Sequence, residues 1–416
     1  MLTAPADAAT GGTESAAAMQ DILPRLEADL IPPAIHGIAA LTECAYRGGD
    51  PARLADAAAP CPLEAAALAA RSLDLATLHQ IRFAPDLAQA LRIQALHQHR
   101  LFRTRDRLGR QSAAPLRLLA VMAAGDFMAN APLDFITAHG DIRLDLLYVP
   151  DGVALPEAVP DHDVAFFALG DAESPAIPRF AALYRAWPRP PVNDPARLPG
   201  LARDALAAAM ADIPGLVVPP TRRVDRAGLL GLPDRPWLLR PRASHAGQGL
   251  VRAAGRAAIA AFLAATGEET FFATEYVDYA GADGMFRKYR IAFLAGQPML
   301  CHMAVSDHWM VHYLNAGMSR FPARRAEEAA AMAGFDTGFA RRHAGALTAL
   351  AQRIGLDYAS IDCAETRDGR LLLFEADAAA ILHLMDPPGL FPYKQAPMRA
   401  LFARFEASLR ARAGLV

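Results

Sequence analysis

Lysine is almost missing from this chain: of 42 basic residues, Lys288 and Lys394 are the two lysines and the rest are arginine. Against that background a retained lysine marks a place where a compact ammonium serves better than a planar guanidinium, a reading that competes with chance survival. Cysteine is scarce as well. Cys44, Cys61, Cys301 and Cys363 stand apart with no Cys-x-x-Cys spacing, which speaks against a disulfide framework or a zinc site and predicts reduced thiols. Net charge is small, −2, which argues against nucleic acid as the main partner. No apolar run reaches the length of a bilayer, and the first residues lack a basic stretch followed by an apolar core. The expectation is a cytoplasmic protein with no membrane partner.

What the chain does have is length and apolar content. With 416 residues, 53% of them hydrophobic, it can build two or three domains with substantial cores. Residues 1–20 are rich in Ala, Gly, Thr and Ser and read as a loose tail. Over 21–112 the apolar spacing is helical: Ile22, Leu23, Leu26 and Leu30 form one stripe and Leu75, Leu78 and Ile81 another. This predicts a helical domain, with degenerate helix-pair repeats as one form it could take. His79, His97 and His99 lie there and read as ordinary helix residues. From 113 to 221 short apolar runs at Leu116–Met122, Ile142–Val149 and Val164–Leu169 predict strands of a small α/β domain. Gly125, Asp126 and Asn130 follow the first of these, as a plain turn or as a loop touching a substrate at the carboxyl end of a strand. Pro188–Pro195 reads as a connector, followed by a helix over about 202–211.

The stretch Leu356–Met385 carries the strongest chemical signal. Apolar runs at Tyr358–Ala364 and Leu371–Ala376 flank Asp368-Gly369, a dipeptide suited to a two-residue hairpin turn. With that turn Arg367 pairs with Arg370, and counting back sets Asp362 opposite Glu375. Asp377 points to the same face, because strand side chains alternate. Like charges so placed destabilise a sheet unless compensated. A hard divalent cation, most simply magnesium, would compensate them; neutralisation by arginine is the alternative.

Three other segments surround this one. Pro236–Val251 runs from a strand through Arg240, Arg242, Ser244, Gly247 and Gly249 into another strand, a loop able to bring backbone N–H groups to phosphate oxygens. It is neither a Walker A loop nor a dinucleotide fingerprint. Phe271–Val277 is an apolar strand carrying Glu275 near its end, and Arg287–Leu294 is a strand with Lys288 and Arg290 on one face. Two such cations suit an anionic substrate or a transferring phosphoryl group, or else guard a sheet edge. Ser306–Gly317, with Asp307, His308, His312 and Asn315, is too rich in functional groups to be plain core.

In this order the motifs resemble those of the ATP-grasp enzymes, over a C-terminal half running from about residue 192. The resemblance implies an α/β architecture: a helical domain at 21–112, a pre-ATP-grasp α/β domain at 113–221, and an ATP-grasp domain of two α+β subdomains at 222–416. It further implies that the loop with Arg240, Ser244, Gly247 and Gly249 closes over ATP phosphates, and that Glu275 and Val277 bind adenine, with Asp278 near the ribose. Asp362, Glu375 and Asp377 would hold Mg2+, with Mn2+ as an alternative ion, and Asp377 stands where the family more often has asparagine. Arg290, Lys288 and Arg240 would be catalytic cations. His308, His312 and Asn315 would line the acceptor side. The implied reaction is carboxylate–amine ligation through an acyl phosphate, on small-molecule or peptide substrates, with a homodimer compatible and the N-terminal helices free to dock a peptide or protein. A small-molecule kinase on the same scaffold, with His308, His312 or Asp307 as base, and a non-catalytic nucleotide-binding regulator are the competing readings.

Overall fold

The computed structural model describes residues 23–56, 64–106, 114–242, 247 and 249–415. The expected tail at 1–20, Ile22, Cys61 and Ser244 lie outside the described residues. The fold is mixed α/β, and the chain divides into two units: 1–196 with 379–385 and 402–416, and 197–378 with 386–401. The helical and the first α/β segments thus fall into a single unit, which runs to 196 before the second unit begins.

In the first unit β1 (Arg25–Glu27) and β2 (Ala34–Ile35) precede four helices: α1 (Gly37–Tyr46), α2 (Pro51–Asp56), α3 (Ala65–Ile81) and α4 (Pro85–Gln98). The expected helical stripe through Leu26 is corrected here, since Leu26 pairs with Val159 in a parallel bridge. There follow β3 (Leu101–Thr104), β4 (Leu116–Ala123), α5 (Leu133–Thr137), β5 (Ile142–Val149), β6 (Ala158–Pro160), β7 (Val164–Phe167), α6 (Ile177–Ala186) and β8 (Pro191–Val192). Six strands form one sheet in the order β2-β3-β5-β4-β7-β8, in which β4, β5 and β7 are parallel. Both of its faces are covered, so these strands read as nearly unbroken apolar runs rather than alternating ones. Phe167 packs against Phe180, Tyr184 and Trp187 on one side, and Phe166 meets Phe405 on the other. The proline-rich connector is therefore in part an edge strand, where the missing N–H of proline is tolerated.

The second unit begins with α7 (Leu206–Ala209), a helix shorter than expected, and β9 (Leu216–Val217). Next come β10 (Thr221–Asp225), α8 (Arg226–Leu230), β11 (Pro236–Pro241), β12 (Val251–Ala254), α9 (Arg256–Ala264) and β13 (Thr270–Glu275), whose strands make an antiparallel sheet β10-β13-β11-β12. Trp237, Leu239, Phe271 and Ala273 point into a core with Ile259 and Phe262 of α9. Alternation then puts Arg240 on the opposite face. The remaining elements are β14 (Phe286–Leu294), β15 (Gln297–Ser306), α10 (Pro322–Ala333), α11 (Phe339–Arg342), α12 (Ala344–Ile354), β16 (Tyr358–Glu365) and β17 (Leu371–Asp377). Their strands form the sheet β15-β14-β16-β17-β9. A last helix, α13 (Gln395–Arg412), has residues in both units. Among the described residues no helix is long and apolar enough to cross a membrane.

Candidate active site

Asp362 stands opposite Glu375, as the hairpin count expects, but by a different route. The turn closes with Thr366 facing Arg370: Thr366 N–H donates to the Arg370 carbonyl at 2.9 Å and Gly369 N–H to the Thr366 carbonyl at 2.9 Å. Gly369 has φ +79°, as a three-residue hairpin loop with a left-handed third position demands. That shifts the ladder by one residue. A bulge at Phe374, skipped between the Asp362–Glu375 and Cys363–Leu373 pairs, shifts it back.

Across the sheet, His302, Arg290, Asp362 and Glu375 then lie in one row on β15, β14, β16 and β17. Arg290 grips Asp362 through Nε to Oδ1 at 2.7 Å and Nη2 to Oδ2 at 3.0 Å, and Lys288 Nζ donates to Oδ2 at 2.7 Å. Asp362 is 3% exposed. Burial alone would raise its pKa, but the charges of Arg290 and then Lys288 hold it well below the usual carboxylate range. Burial pulls the Arg290 guanidinium down, and Asp362 more than offsets this. His302 is pushed strongly towards its neutral form by burial and then by Arg290, and its Nδ1 has no hydrogen-bond partner among the described residues.

Both Asp362 oxygens are thus committed to cations, and among the described residues no group of three His, Cys, Asp or Glu side chains could hold a metal. In this arrangement Asp362 is the counter-ion of Lys288 and Arg290. Glu375 and Asp377 lie two residues apart on one strand face. Magnesium is commonly held by one or two carboxylates together with substrate phosphates, and that donor set fits these two residues. Glu375 sits beside Arg203, with Oε2 3.2 Å from Nη2. Arg203 carries no sequence signal that singles it out from the other arginines. Arg240 is buried near both; burial, and then the Arg203 charge, lower its pKa to about 10, while Glu375 opposes the shift.

Beyond Arg240, Gly247 and Gly249 hold φ of +76° and +66°, and Arg242 N–H bonds the Thr270 carbonyl at 3.1 Å. Glu275, at the end of β13, is ion-paired with Arg235. Val277 is half-buried, and Asp278 accepts from Arg367 Nη2 at 2.8 Å. Tyr276 between them carries Arg252 over its ring at 3.9 Å and meets Trp309 edge-on.

In the segment after β15, His308 Nδ1 accepts from Met310 N–H at 3.2 Å. Asn315 Oδ1 accepts from His312 N–H at 2.9 Å, so its amide braces the loop. The His312 ring stays within the field of the central row: burial, then Lys288 and Arg290, lower its pKa. Beneath the loop is a buried network that sequence reading missed. Lys394 is 2% exposed and bonds Asp386 Oδ2 at 2.8 Å, with Glu328 Oε1 at 3.3 Å. Tyr313 and Tyr393 donate to Glu328 Oε2 at 2.9 and 2.6 Å. Glu328 is completely buried because α10 packs on β15, a contact that helix periodicity does not disclose.

No protein-family model matches this chain, and no curated protein does. Solved structures similar to it include the D-alanine–D-alanine ligase of Bacillus anthracis complexed with ATP, at 13% identity over 71% of this chain and 98% of that one, TM-score 0.40. The VanG D-Ala:D-Ser ligase of Enterococcus faecalis matches at 10% identity over 72% of this chain and 100% of that one, TM-score 0.44. A RimK domain ATP-grasp protein of Sphaerobacter thermophilus matches at 18% identity over 70% of this chain and 99% of that one, TM-score 0.37.

Proposed function

We propose that the chain is an ATP-grasp ligase that joins a carboxylate to an amine at the expense of MgATP, releasing ADP and phosphate. The observation that carries this reading is the sheet face on which Arg290, Asp362 and Glu375 share a cross-strand row, with Lys288 bonded to Asp362 and Asp377 two residues beyond Glu375. A phosphoryl group in transfer needs positioning and charge neutralisation more than covalent chemistry from the protein. Magnesium, when bound with Glu375, Asp377 and the nucleotide phosphates, would supply part of that neutralisation. Arg290 and Lys288, held in place by Asp362, face the transferring group and the acyl phosphate. Arg240 and the glycine loop cover the phosphates, and the strand end at Glu275, Val277 and Asp278 receives the nucleoside. Closure of the loop excludes water, which protects an acyl phosphate from hydrolysis. His312 lines the acceptor side, while His308 and Asn315 hold the shape of its loop.

The test is release of ADP and inorganic phosphate from MgATP with pooled amino acids, peptides and small carboxylates, using Glu375→Gln as control. Equal ADP and phosphate, dependent on a pool and lost in the variant, is the expected result. ADP without phosphate would make the protein a kinase, and failure to bind MgATP would make it neither.

A further inference from the structure

Helix α4 has its polarity inverted at one place. Its buried side is made of Ala88, Arg92, Ala95 and Leu96, with Arg92 8% exposed, whereas the adjacent Ile93 is 50% exposed. A guanidinium in a core position is costly unless an anion meets it. Among the described residues Arg92 has no ion pair, and its single hydrogen bond runs from Nη2 to Gln80 Oε1 at 2.7 Å. Burial lowers its pKa; Tyr148 and Asp126 act in the other direction.

Arg92 lines a cavity of about 70 Å³ that lies wholly within the first unit. The sheet forms its floor. Ala120 and Met122 of β4 stand opposite Leu146 and Tyr148 of β5, and all four line it. Ile38 and Leu73 close it from the helices, and the Gly125-Asp126 turn stands at the carboxyl end of β4, where open parallel sheets gather ligands. Asn130 folds that turn back: its Oδ1 accepts from Ala123 N–H at 2.7 Å and its Nδ2 donates to the Ala123 carbonyl at 2.8 Å. The space is about five times what one water requires, enough for a small organic acid and too little for a nucleotide. Asp126 and Asp134 also line it; each accepts a backbone N–H, Asp126 from Met128 at 2.9 Å and Asp134 from Ala39 at 2.7 Å, and both oppose an anion there, a doubly charged one most.

We propose that this cavity is a binding site for a small monocarboxylate with an apolar body, its carboxylate on Arg92 and the Tyr148 hydroxyl and its hydrocarbon against Ile38, Leu73 and Leu146. The site is separate from the nucleotide chemistry proposed above and does not rest on it.

Calorimetric titration of the full chain, without nucleotide, with butyrate, isovalerate and 2-oxoisovalerate tests this, with isovaleramide and inorganic phosphate as comparison ligands. At least one carboxylate should bind with a Kd below about 1 mM and raise the melting temperature. Arg92→Met should weaken it tenfold or more while leaving the unliganded melting temperature equal or higher, because an unpaired buried charge has been exchanged for a similar apolar volume. Ile38→Trp, which fills the space and keeps the charge, should also abolish binding, and Glu375→Gln should not alter it. The proposal fails if no carboxylate binds, if isovaleramide or phosphate binds as tightly, or if Arg92→Met leaves binding unchanged.

Discussion

Asp362 and Glu375 face each other across neighbouring strands in different surroundings, which is the ground for proposing different work for them. Asp362 is 3% exposed and clamped by two cations, while Glu375 is 37% exposed and lies beside Arg203. Removing the charge of Asp362 strands Lys288 and Arg290, and breaking a buried pair of this kind costs about 3–5 kcal/mol. Asp362→Asn should therefore lower the melting temperature by many degrees and leave the magnesium concentration for half-maximal binding of a fluorescent ATP analogue within about twofold. Glu375→Gln should do the reverse, raising that concentration about tenfold or more, equivalent to ~1.4 kcal/mol, with little change in melting. Equal displacement of the magnesium midpoint by both variants would restore Asp362 as a ligand and sink the assignment. The identity of these acids was legible from two-residue alternation. Their different surroundings were not, because these depend on which cations the neighbouring strand delivers, and Lys288 and Arg290 lie more than seventy positions earlier.

At the scale of elements, the β16–β17 hairpin shows how a correct register can come from an incorrect turn. Asp-Gly pointed to a two-residue loop; the chain instead uses Thr366 and Arg370 as the closing pair and recovers the register with a bulge at Phe374. Local propensity located the turn, but the bulge is fixed by packing, where Phe374 meets Tyr279 with ring centroids 5.0 Å apart. Gly369 is indispensable to this loop because a left-handed residue with a Cβ costs about 1–2 kcal/mol. Gly369→Ala has open space around it, so the loss in urea denaturation should be confined to that range and the fluorescent ATP analogue should bind with unchanged affinity. A loss of nucleotide affinity as well would mean that the loop governs the register of the acids. Strands of the first unit were readable for the converse reason: β4, β5 and β7 are buried on both faces, and unbroken apolar runs bounded by turns leave little choice. Leu26 misled because four apolar residues at helical spacing do not reveal a parallel partner more than a hundred residues away.

For the molecule as a whole, pH is the variable through which the first unit's buried groups act together, and two of them pull in opposite directions. Asp74 accepts from His36 N–H at 2.9 Å and Gly37 N–H at 3.1 Å, yet burial pushes its pKa up from 3.8 to about 6. The folded state then binds more protons than the unfolded one, so stability falls as pH rises from about 4 to about 6, by at most ~3 kcal/mol at 1.36 kcal/mol per unit. His162 is 1% exposed, with its Nε2 accepting from Trp187 Nε1–H at 2.9 Å and its Nδ1 on the Pro160 carbonyl at 2.8 Å. That pairing needs the neutral ring, and burial lowers its pKa. The folded state here binds fewer protons, so stability is present above about 6.5 and is lost as pH falls. Melting temperatures from pH 4 to 8 should separate the two. The difference between Asp74→Asn and the parent should become more positive between pH 4 and 6. That between His162→Gln and the parent should become more negative as pH rises towards 7, each 1 kcal/mol appearing as about 2–4 °C. Differences that stay flat from pH 4 to 8 would show that these groups titrate alike in the folded and unfolded chain, and that the acid response of the protein is set elsewhere.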